Sequence, residues 1–150
     1  MFNNAYSPSL SDSGHQPTSK IPGNKPQIVK KGRVLIVEDD RETLIWLAVL
    51  LRHAGYETVA AEDGAMAMTM AIKQRPDAII LDIGLPAGNG MFVLENIRRH
   101  IDVCMVPVVV LTGGDDFSEY ELIGAGATYF FRKPTENEVL LNAIEAAVKI

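Results

Sequence analysis

The chain has 150 residues, of which 47% are hydrophobic and 22% are charged, and its formal net charge is −5 at pH 7. This length and balance are typical of one globular domain whose core is large enough to fold without disulfides. The negative charge argues against a nucleic-acid-binding face, and the single cysteine, Cys104, excludes an internal disulfide and a cysteine-based metal cluster.

The first 30 residues differ in composition from the rest of the chain. They are dominated by Asn, Ser, Pro, Gly and Lys. Such a segment buries too little apolar surface to offset its ordering entropy, so we interpret residues 1–30 as a flexible N-terminal tail and residues 31–150 as the folded domain. Neither the apolar region of a signal peptide nor a run of the ~20 apolar residues of a membrane span is present. We therefore expect a cytoplasmic protein without a membrane partner.

From Lys30 onward, short apolar runs alternate with amphipathic segments. The runs are rich in Val and Ile, which is typical of the buried strands of a parallel sheet. They predict strands over residues 33–37, 57–61, 77–81, 106–111 and 128–131. The segments between and after them predict helices over about 40–54, 64–74, 91–99, 117–123 and 136–148. Gly55 is predicted to end the first helix, and Thr135 to cap the last one.

This alternation of strand and helix sets the fold class. Right-handed crossovers between parallel strands place helices on both faces of the sheet. The sequence therefore predicts an α/β fold, a doubly wound five-stranded parallel sheet with five helices. In such a sheet, ligands bind at the edge formed by the carboxyl ends of the strands.

Polar and charged residues stand at the carboxyl ends of four predicted strands. Glu38 and Asp39 follow the first strand, and Asp82 follows the third. Thr112 follows the fourth strand, and Lys133 lies just beyond the fifth. Three neighbouring carboxylates repel one another unless a cation neutralises them, and Mg²⁺ binds such oxygens while accepting phosphate oxygens as further ligands. The sequence thus predicts a Mg²⁺ site with phosphoryl chemistry.

Each of these residue types has a chemical role in phosphoryl transfer. A carboxylate oxygen can be phosphorylated to an acyl phosphate, which makes Asp82 the predicted nucleophile. Lys133 offers a positive charge to one phosphoryl oxygen, and Thr112 offers a hydroxyl donor to another. Pro134 follows Lys133 directly and favours a fixed turn, compatible with a cis peptide bond, that aims the lysine inward.

Four motifs together resemble the receiver domain of two-component response regulators, a flavodoxin-like phosphoacceptor module. They occupy residues 34–40, 81–86, 111–113 and 131–134, and the resemblance extends from about residue 32 to residue 150. It implies the strand order 2-1-3-4-5. It further implies that Glu38 and Asp39 are the acidic pair, with Asp39 the more direct metal ligand. Asp82 would be the phosphorylated residue, and the backbone carbonyl of Gly84 would complete the metal shell.

The resemblance also implies how the signal enters and leaves the domain. Thr112 would be the switch hydroxyl, and Phe130, three positions before Lys133, the aromatic residue that turns inward on phosphorylation. The implied donor is a sensor histidine kinase or a phosphotransfer protein. The implied reactions are Mg²⁺-dependent self-phosphorylation and autodephosphorylation only, so the chain is not expected to be an enzyme acting on other substrates. A homodimer through the last two helices and the fifth strand remains open.

Glycines stand at two positions where side chains in the family shade the phosphoryl group. Gly84 lies two residues after Asp82, and Gly114 lies two residues after Thr112. Without side chains at these positions, water should reach the phosphoryl group more easily. We therefore expect a short-lived phosphorylated form.

Other interpretations fit parts of the pattern. A haloacid-dehalogenase-like phosphatase needs a second aspartate two residues after its nucleophile, where this chain has Gly84. A dinucleotide-binding module needs a glycine-rich turn after the first strand, where this chain has the acidic residues 38–40. Those acids alone could simply oppose a helix dipole. A receiver-like interaction module that is never phosphorylated also remains, although all five residues of the predicted site are intact.

Overall fold

The structure, a computed structural model, describes residue 23, residues 29–86 and residues 90–150. The predicted flexible tail therefore lies mostly outside the described residues. Within them, one parallel sheet has the order β2-β1-β3-β4-β5. Its strands are β1 (Arg33–Val37), β2 (Glu57–Ala61), β3 (Ala78–Leu81), β4 (Val108–Thr112) and β5 (Tyr129–Arg132).

Five helices in the described residues cover the two faces of this sheet. They are α1 (Arg41–His53), α2 (Gly64–Gln74), α3 (Gly90–Arg99), α4 (Glu119–Gly124) and α5 (Asn137–Val148). Apolar residues of α1 and α5 pack against one face, and those of α2, α3 and α4 pack against the other. The predicted fold class and strand order are confirmed. None of these helices is long and apolar enough to cross a membrane.

The core explains why the three inner strands, β1, β3 and β4, are apolar along almost their whole length. Successive residues of β1 point to opposite faces of the sheet, so that Leu35 joins one core and Ile36 the other. Both side chains are fully buried. Burying one such side chain stabilises the fold by ~1.5–3 kcal/mol. A strand covered by helices on both sides therefore has no position that favours a polar residue until the strand ends.

Local hydrogen bonds fix where the helices begin and end. The carboxylate of Asp40 accepts from the N–H of Thr43 at 3.0 Å and so caps α1. Gly55 follows the end of α1 with a φ of +101°, which confirms the predicted stop. α4 begins at a capping box in which Ser118 and Glu121 each accept from the other's backbone N–H, a signal that the sequence analysis missed.

Several predicted boundaries differ from the observed ones. β4 begins at residue 108 rather than 106, because the N–H of Val106 donates to Val103 in a turn and Pro107 has no N–H. The strand continues through Thr112, which pairs with Arg132. The prediction that Thr135 caps α5 is wrong. Its hydroxyl donates to the carbonyl of Arg132 at 2.6 Å, and Glu136 is the N-cap without a capping bond to any described residue.

A half-buried arginine joins the segments that lead into β4 and β5. The guanidinium of Arg98, in α3, donates to the carbonyl oxygen of Val106 at 2.6 Å and to that of Gly126 at 2.9 Å. Burial lowers the pKa of Arg98. Gly126 has a φ of +109°, and a Cβ built there would lie 2.7 Å from the Arg98 side chain. These contacts hold the amino ends of two neighbouring strands together, opposite the edge that carries the site.

Candidate functional site

The sheet register places the predicted site residues at one edge. The backbone N–H of Asp82 donates to the carbonyl of Val37 at 3.0 Å, so Asp82 lies beside Glu38. The N–H of Lys133 donates to the carbonyl of Thr112 at 2.9 Å. The ladders thus continue past the apolar strands, and the first polar residues after them meet at the carboxyl edge.

Three carboxylates form a cluster at this edge. One carboxylate oxygen from each of Glu38, Asp39 and Asp82 lies within 4.8 Å of the others. Glu38 is 2% exposed and Asp82 is 7% exposed, whereas Asp39 faces the solvent. Carboxylate oxygens converging from two strand ends are the kind of ligand that a hard divalent cation takes, and the exposed side leaves space for waters or a phosphate oxygen.

Lys133 supplies the opposite charge to this cluster. Its Nζ donates to Glu38 Oε2 at 2.6 Å and to Asp82 Oδ2 at 3.4 Å. The peptide bond between Lys133 and Pro134 is cis. The Lys133 side chain is 24% exposed, so its contacts with the two carboxylates are screened less than those of a surface ion pair.

Burial and pairing shift the titration of these groups. Burial raises the pKa of Glu38, and the hydrogen bond from Lys133 opposes this shift while the nearby charge of Asp82 adds to it. For Lys133, burial favours the neutral form, but the hydrogen bond from Nζ to Glu38 and the negative charges of Asp82 and Glu38 outweigh it, so its pKa is raised. Lys133 is therefore firmly protonated, and its charge is available at neutral pH.

Gly84 lies beside the Asp82 carboxylate, and Thr112 and Gly114 line the same small cavity as Gly84. The N–H of Gly84 donates to Asp82 Oδ1 at 2.9 Å, and a Cβ built on Gly84 would lie 3.3 Å from that oxygen. Thr112 is 4% exposed, and its Oγ1 accepts from the N–H of Gly114 at 3.3 Å. Ligation of a metal by the Gly84 carbonyl stays a prediction, as does the switch role of Thr112.

The aromatic residues of β5 point to opposite faces of the sheet. Phe130 is half-buried and packs against the core beneath α2, α3 and α4. Tyr129 packs against the other core, as its neighbouring position predicts. Phe130 pairs with Val110, two residues before Thr112. The two predicted switch residues therefore belong to adjacent strands and point toward the same face.

One residue that contacts this region was missed by the sequence analysis. Arg132 donates from Nη1 to the carbonyl of Gly114 at 3.0 Å and also to the carboxylate of Asp115. Its Cζ lies 5.4 Å from the centroid of the Phe130 ring. No signal in the sequence indicated these contacts, since Arg132 and the loop that it reaches lie 17 or more residues apart in sequence.

Comparison with known families agrees with this geometry. Residues 34–145 match the family described as the response regulator receiver domain. The transcriptional regulatory protein KdpE of Mycobacterium tuberculosis is 34% identical over 117 residues, which cover 77% of this chain and 50% of KdpE. The chain thus spans about half the length of the curated relatives it matches.

Solved structures with the same architecture include other receiver domains. One is the receiver domain of the sensor histidine kinase PA1611 from Pseudomonas aeruginosa, which has a magnesium ion coordinated in its active-site cleft. Its TM-score is 0.72 at 28% identity, over 79% of this chain and 98% of that one. Another is the chemotaxis protein CheY4 of Vibrio cholerae, with a TM-score of 0.70 at 30% identity, over 77% and 97% of the two chains.

Proposed function

The chain belongs to the response regulator receiver domain family, whose members accept a phosphoryl group, and on that premise we propose that Asp82 is its phosphorylated residue. One observation carries this proposal. The Asp82 carboxylate is nearly buried at the carboxyl edge of the sheet, beside two further carboxylates and 3.4 Å from the Lys133 ammonium. A nucleophilic carboxylate with a fixed cation beside it suits the acceptance of an anionic phosphoryl group.

We further propose that Glu38, Asp39, Asp82 and the backbone carbonyl of Gly84 hold Mg²⁺. The clustered carboxylates support this assignment, and so does the magnesium ion in the related PA1611 receiver domain. When bound, Mg²⁺ offsets the carboxylate charges and stabilises negative charge on the phosphoryl oxygens.

The residues of the chain divide the transfer step among them. An Asp82 carboxylate oxygen attacks the phosphorus of a phosphohistidine, the phosphorus–nitrogen bond breaks, and its electron pair stays on the imidazole nitrogen. The Lys133 ammonium binds one phosphoryl oxygen and the Thr112 hydroxyl donates to another. Hydrolysis ends the signal. Water attacks the same phosphorus, the bond to the Asp82 oxygen breaks, and the free carboxylate and inorganic phosphate result.

The partners follow from this chemistry. The phosphoryl donor is a sensor histidine kinase or a phosphotransfer protein in the cytoplasm, and the chain turns over only its own phosphoryl group. Movement of Thr112 and of the ring of Phe130 changes the surface formed by α4, β5 and α5, which serves output and can pair two copies of the domain. The folded domain comprises residues 31–150. The whole chain carries a net charge of −5, and it makes no direct contact with nucleic acid.

Intact-mass spectrometry tests the proposal. The chain is incubated with acetyl phosphate, with and without Mg²⁺, as the wild type and as Asp82→Asn. The expected result is a gain of about 80 Da in the wild type that requires Mg²⁺ and is absent in the variant. Asp102→Asn, which removes the same charge from an exposed turn remote from the site, should behave as the wild type. A Mg²⁺-dependent gain that persists in Asp82→Asn would overturn the assignment.

A further inference from the structure

Arg132 is a neighbour of both predicted switch residues, Thr112 and Phe130. It is the cross-strand partner of Thr112 in the ladder between β4 and β5, and it lies two residues after Phe130. Its side chain is 48% exposed. Alternation along β5 directs it toward the same face as Phe130, and so toward the loop of residues 113–117 that connects β4 to α4.

The guanidinium joins two parts of the structure that have no covalent link nearby. On one side, Nη1 donates to the carbonyl of Gly114 at 3.0 Å and to the carboxylate of Asp115. On the other, Cζ lies 5.4 Å from the centroid of the Phe130 ring, within the range of a cation–π interaction. The planar guanidinium can serve both contacts at once, which the compact ammonium of a lysine cannot.

Gly114 extends this connection to the buried hydroxyl. Its carbonyl accepts from Arg132, while its N–H donates to Thr112 Oγ1 at 3.3 Å. To turn toward a phosphoryl group on Asp82, the Thr112 hydroxyl has to give up this partner or carry it along. Because Arg132 holds the backbone of Gly114 in place, it resists the movement of Thr112. The same guanidinium resists a change in the position of the Phe130 ring.

We propose that Arg132 is a positioning residue that holds the loop of residues 113–117 and the Phe130 ring in their unphosphorylated arrangement, and so acts as a brake on the switch. This inference rests on the proposed function. Contacts made in only one of two states shift the population toward that state. Removing these contacts increases the affinity of a ligand that binds the other state. The increase is at most the factor by which the contacts had favoured the first state.

The test measures how tightly the 150-residue chain binds beryllium fluoride, a phosphoryl analogue, in the presence of Mg²⁺. Trp46 provides the signal, because it lines the same cavity as Lys133 and Pro134. Arg132→Met removes the guanidinium but keeps an unbranched side chain over Phe130. Asp115→Asn removes the charge from the loop partner. Each variant is expected to bind beryllium fluoride about three- to tenfold more tightly than the wild type.

A charge-matched control separates this effect from general electrostatics for Arg132→Met, which is the decisive variant, because the loss of a negative charge at Asp115 favours anion binding with or without a brake. Arg99→Met removes one positive charge from an exposed position at the end of α3, away from the loop. Loss of a nearby positive charge should by itself weaken the binding of an anion, whereas the loss of a brake should strengthen it. Tighter binding by both Arg132→Met and Asp115→Asn, with Arg99→Met equal to the wild type, would support the proposal.

Two failures have different meanings. If the wild type binds beryllium fluoride and Arg132→Met binds it equally or more weakly, Arg132 is no brake, although the phosphoacceptor assignment stands. If the wild type does not bind beryllium fluoride with Mg²⁺, the proposed function itself fails, and the brake with it. Urea unfolding of Arg132→Met should stay cooperative and lose no more stability than the three- to tenfold factor represents, because the side chain is half exposed, and this shows that the fold is intact.

Discussion

At the scale of single residues, the site depends on one cation among three carboxylates. Glu38 is almost fully buried, and its contact with Lys133 Nζ at 2.6 Å provides its ion pair within the described residues. The same ammonium lies 3.4 Å from Asp82. Lys133 therefore offsets the charge of the acidic cluster, and under the proposed function it would also bind a phosphoryl oxygen on Asp82.

Replacing this lysine tests its role in the reaction. Lys133→Met should reduce the rate of Mg²⁺-dependent phosphorylation by phosphoramidate on the order of 100-fold or more, because a fixed charge that contacts the transferred group is lost. The rate is measured by intact mass over time. Lys149→Met removes the same charge from an exposed pair with Glu145 and serves as the control. A rate for Lys133→Met close to that of the control would show that the lysine is only structural.

Gly84 and Gly114, which line one small cavity, should set the lifetime of the phosphorylated form. A Cβ at Gly84 would contact Asp82 Oδ1 at 3.3 Å, and one at Gly114 would lie 3.7 Å from Asp116 and 4.0 Å from Thr112 Oγ1, so both positions can accept a side chain with at most a small adjustment. The double variant Gly84→Met with Gly114→Ala should lengthen the half-life of the phosphorylated chain by roughly tenfold, because it excludes water.

The half-life is followed as the decay of the phosphorylated mass after the donor is removed. Gly124→Ala, at a position with open space around the built Cβ, controls for a glycine replaced elsewhere. An unchanged half-life in the double variant would contradict the idea that these glycines expose the phosphoryl group.

At the scale of elements, α4 is the helix with the least support of its own. It has six residues, and only Leu122 among them is buried. Its start depends on the capping box, in which Glu121 accepts from the Ser118 N–H at 2.8 Å and from its hydroxyl at 3.0 Å. A short helix that is held by a cap rather than by a wide apolar face is suited to change position when the site changes.

The capping box predicts a pH dependence. Hydrogen bonds from the Ser118 backbone and hydroxyl lower the pKa of Glu121 below its ordinary value of 4.5. Its folded-state pKa is thus below its unfolded value, so the stability that it contributes is present above about pH 4.5 and is lost as the pH falls through the folded pKa. Glu121→Gln should therefore lose less stability than the wild type between about pH 6 and about pH 3.

Urea unfolding at a series of pH values measures this slope. Glu119→Gln, which removes an acid from the same first turn, is the matched control. The prediction fails if the free energy of unfolding of Glu121→Gln changes with pH as steeply as that of the wild type, and that of Glu119→Gln changes less steeply.

Most elements could be predicted from the sequence because short, continuous apolar runs differ clearly from amphipathic helical segments, but the ends of the elements could not. Val106 and Leu111 belong to the same apolar run, yet only the ladder with β3 shows that pairing starts at Val108. Likewise, Thr135 is a good N-cap by residue type, but its hydroxyl is already used by Arg132. Boundaries depend on which partner each backbone group finds, and that is a property of the tertiary structure.

At the scale of the whole molecule, the order of the strands assembles the site. Glu38 and Lys133 are 95 residues apart in sequence, and they meet because β1 and β5 end at the same edge of one sheet. The carboxyl ends of parallel strands lie at one edge of the sheet, and this rule alone was enough to predict that the strand-end residues form one site. The contacts of Arg132 could not be predicted, because they depend on the path of the loop after β4, which no sequence period specifies.

The described core predicts that the first 28 residues are not needed for folding. All of the buried apolar residues in the described part of the chain lie between Val34 and Ala147. A chain that starts at Val29 should therefore have the same unfolding midpoint in urea as the full chain and should gain the same phosphoryl mass. A lower midpoint, or loss of phosphorylation with the fold intact, would show that the N-terminal residues contribute to the domain.

We propose that Asp82, and not a neighbouring acid, carries the phosphoryl group. Borohydride reduces an acyl phosphate to a primary alcohol, so a phosphorylated aspartate becomes homoserine, which peptide mass spectrometry can locate. After treatment with acetyl phosphate and Mg²⁺, we expect homoserine at position 82 and unmodified aspartate at Asp39 and Asp40. Homoserine at either of those positions, or at none despite a gain in intact mass, would contradict the assignment of Asp82 as the phosphorylated residue.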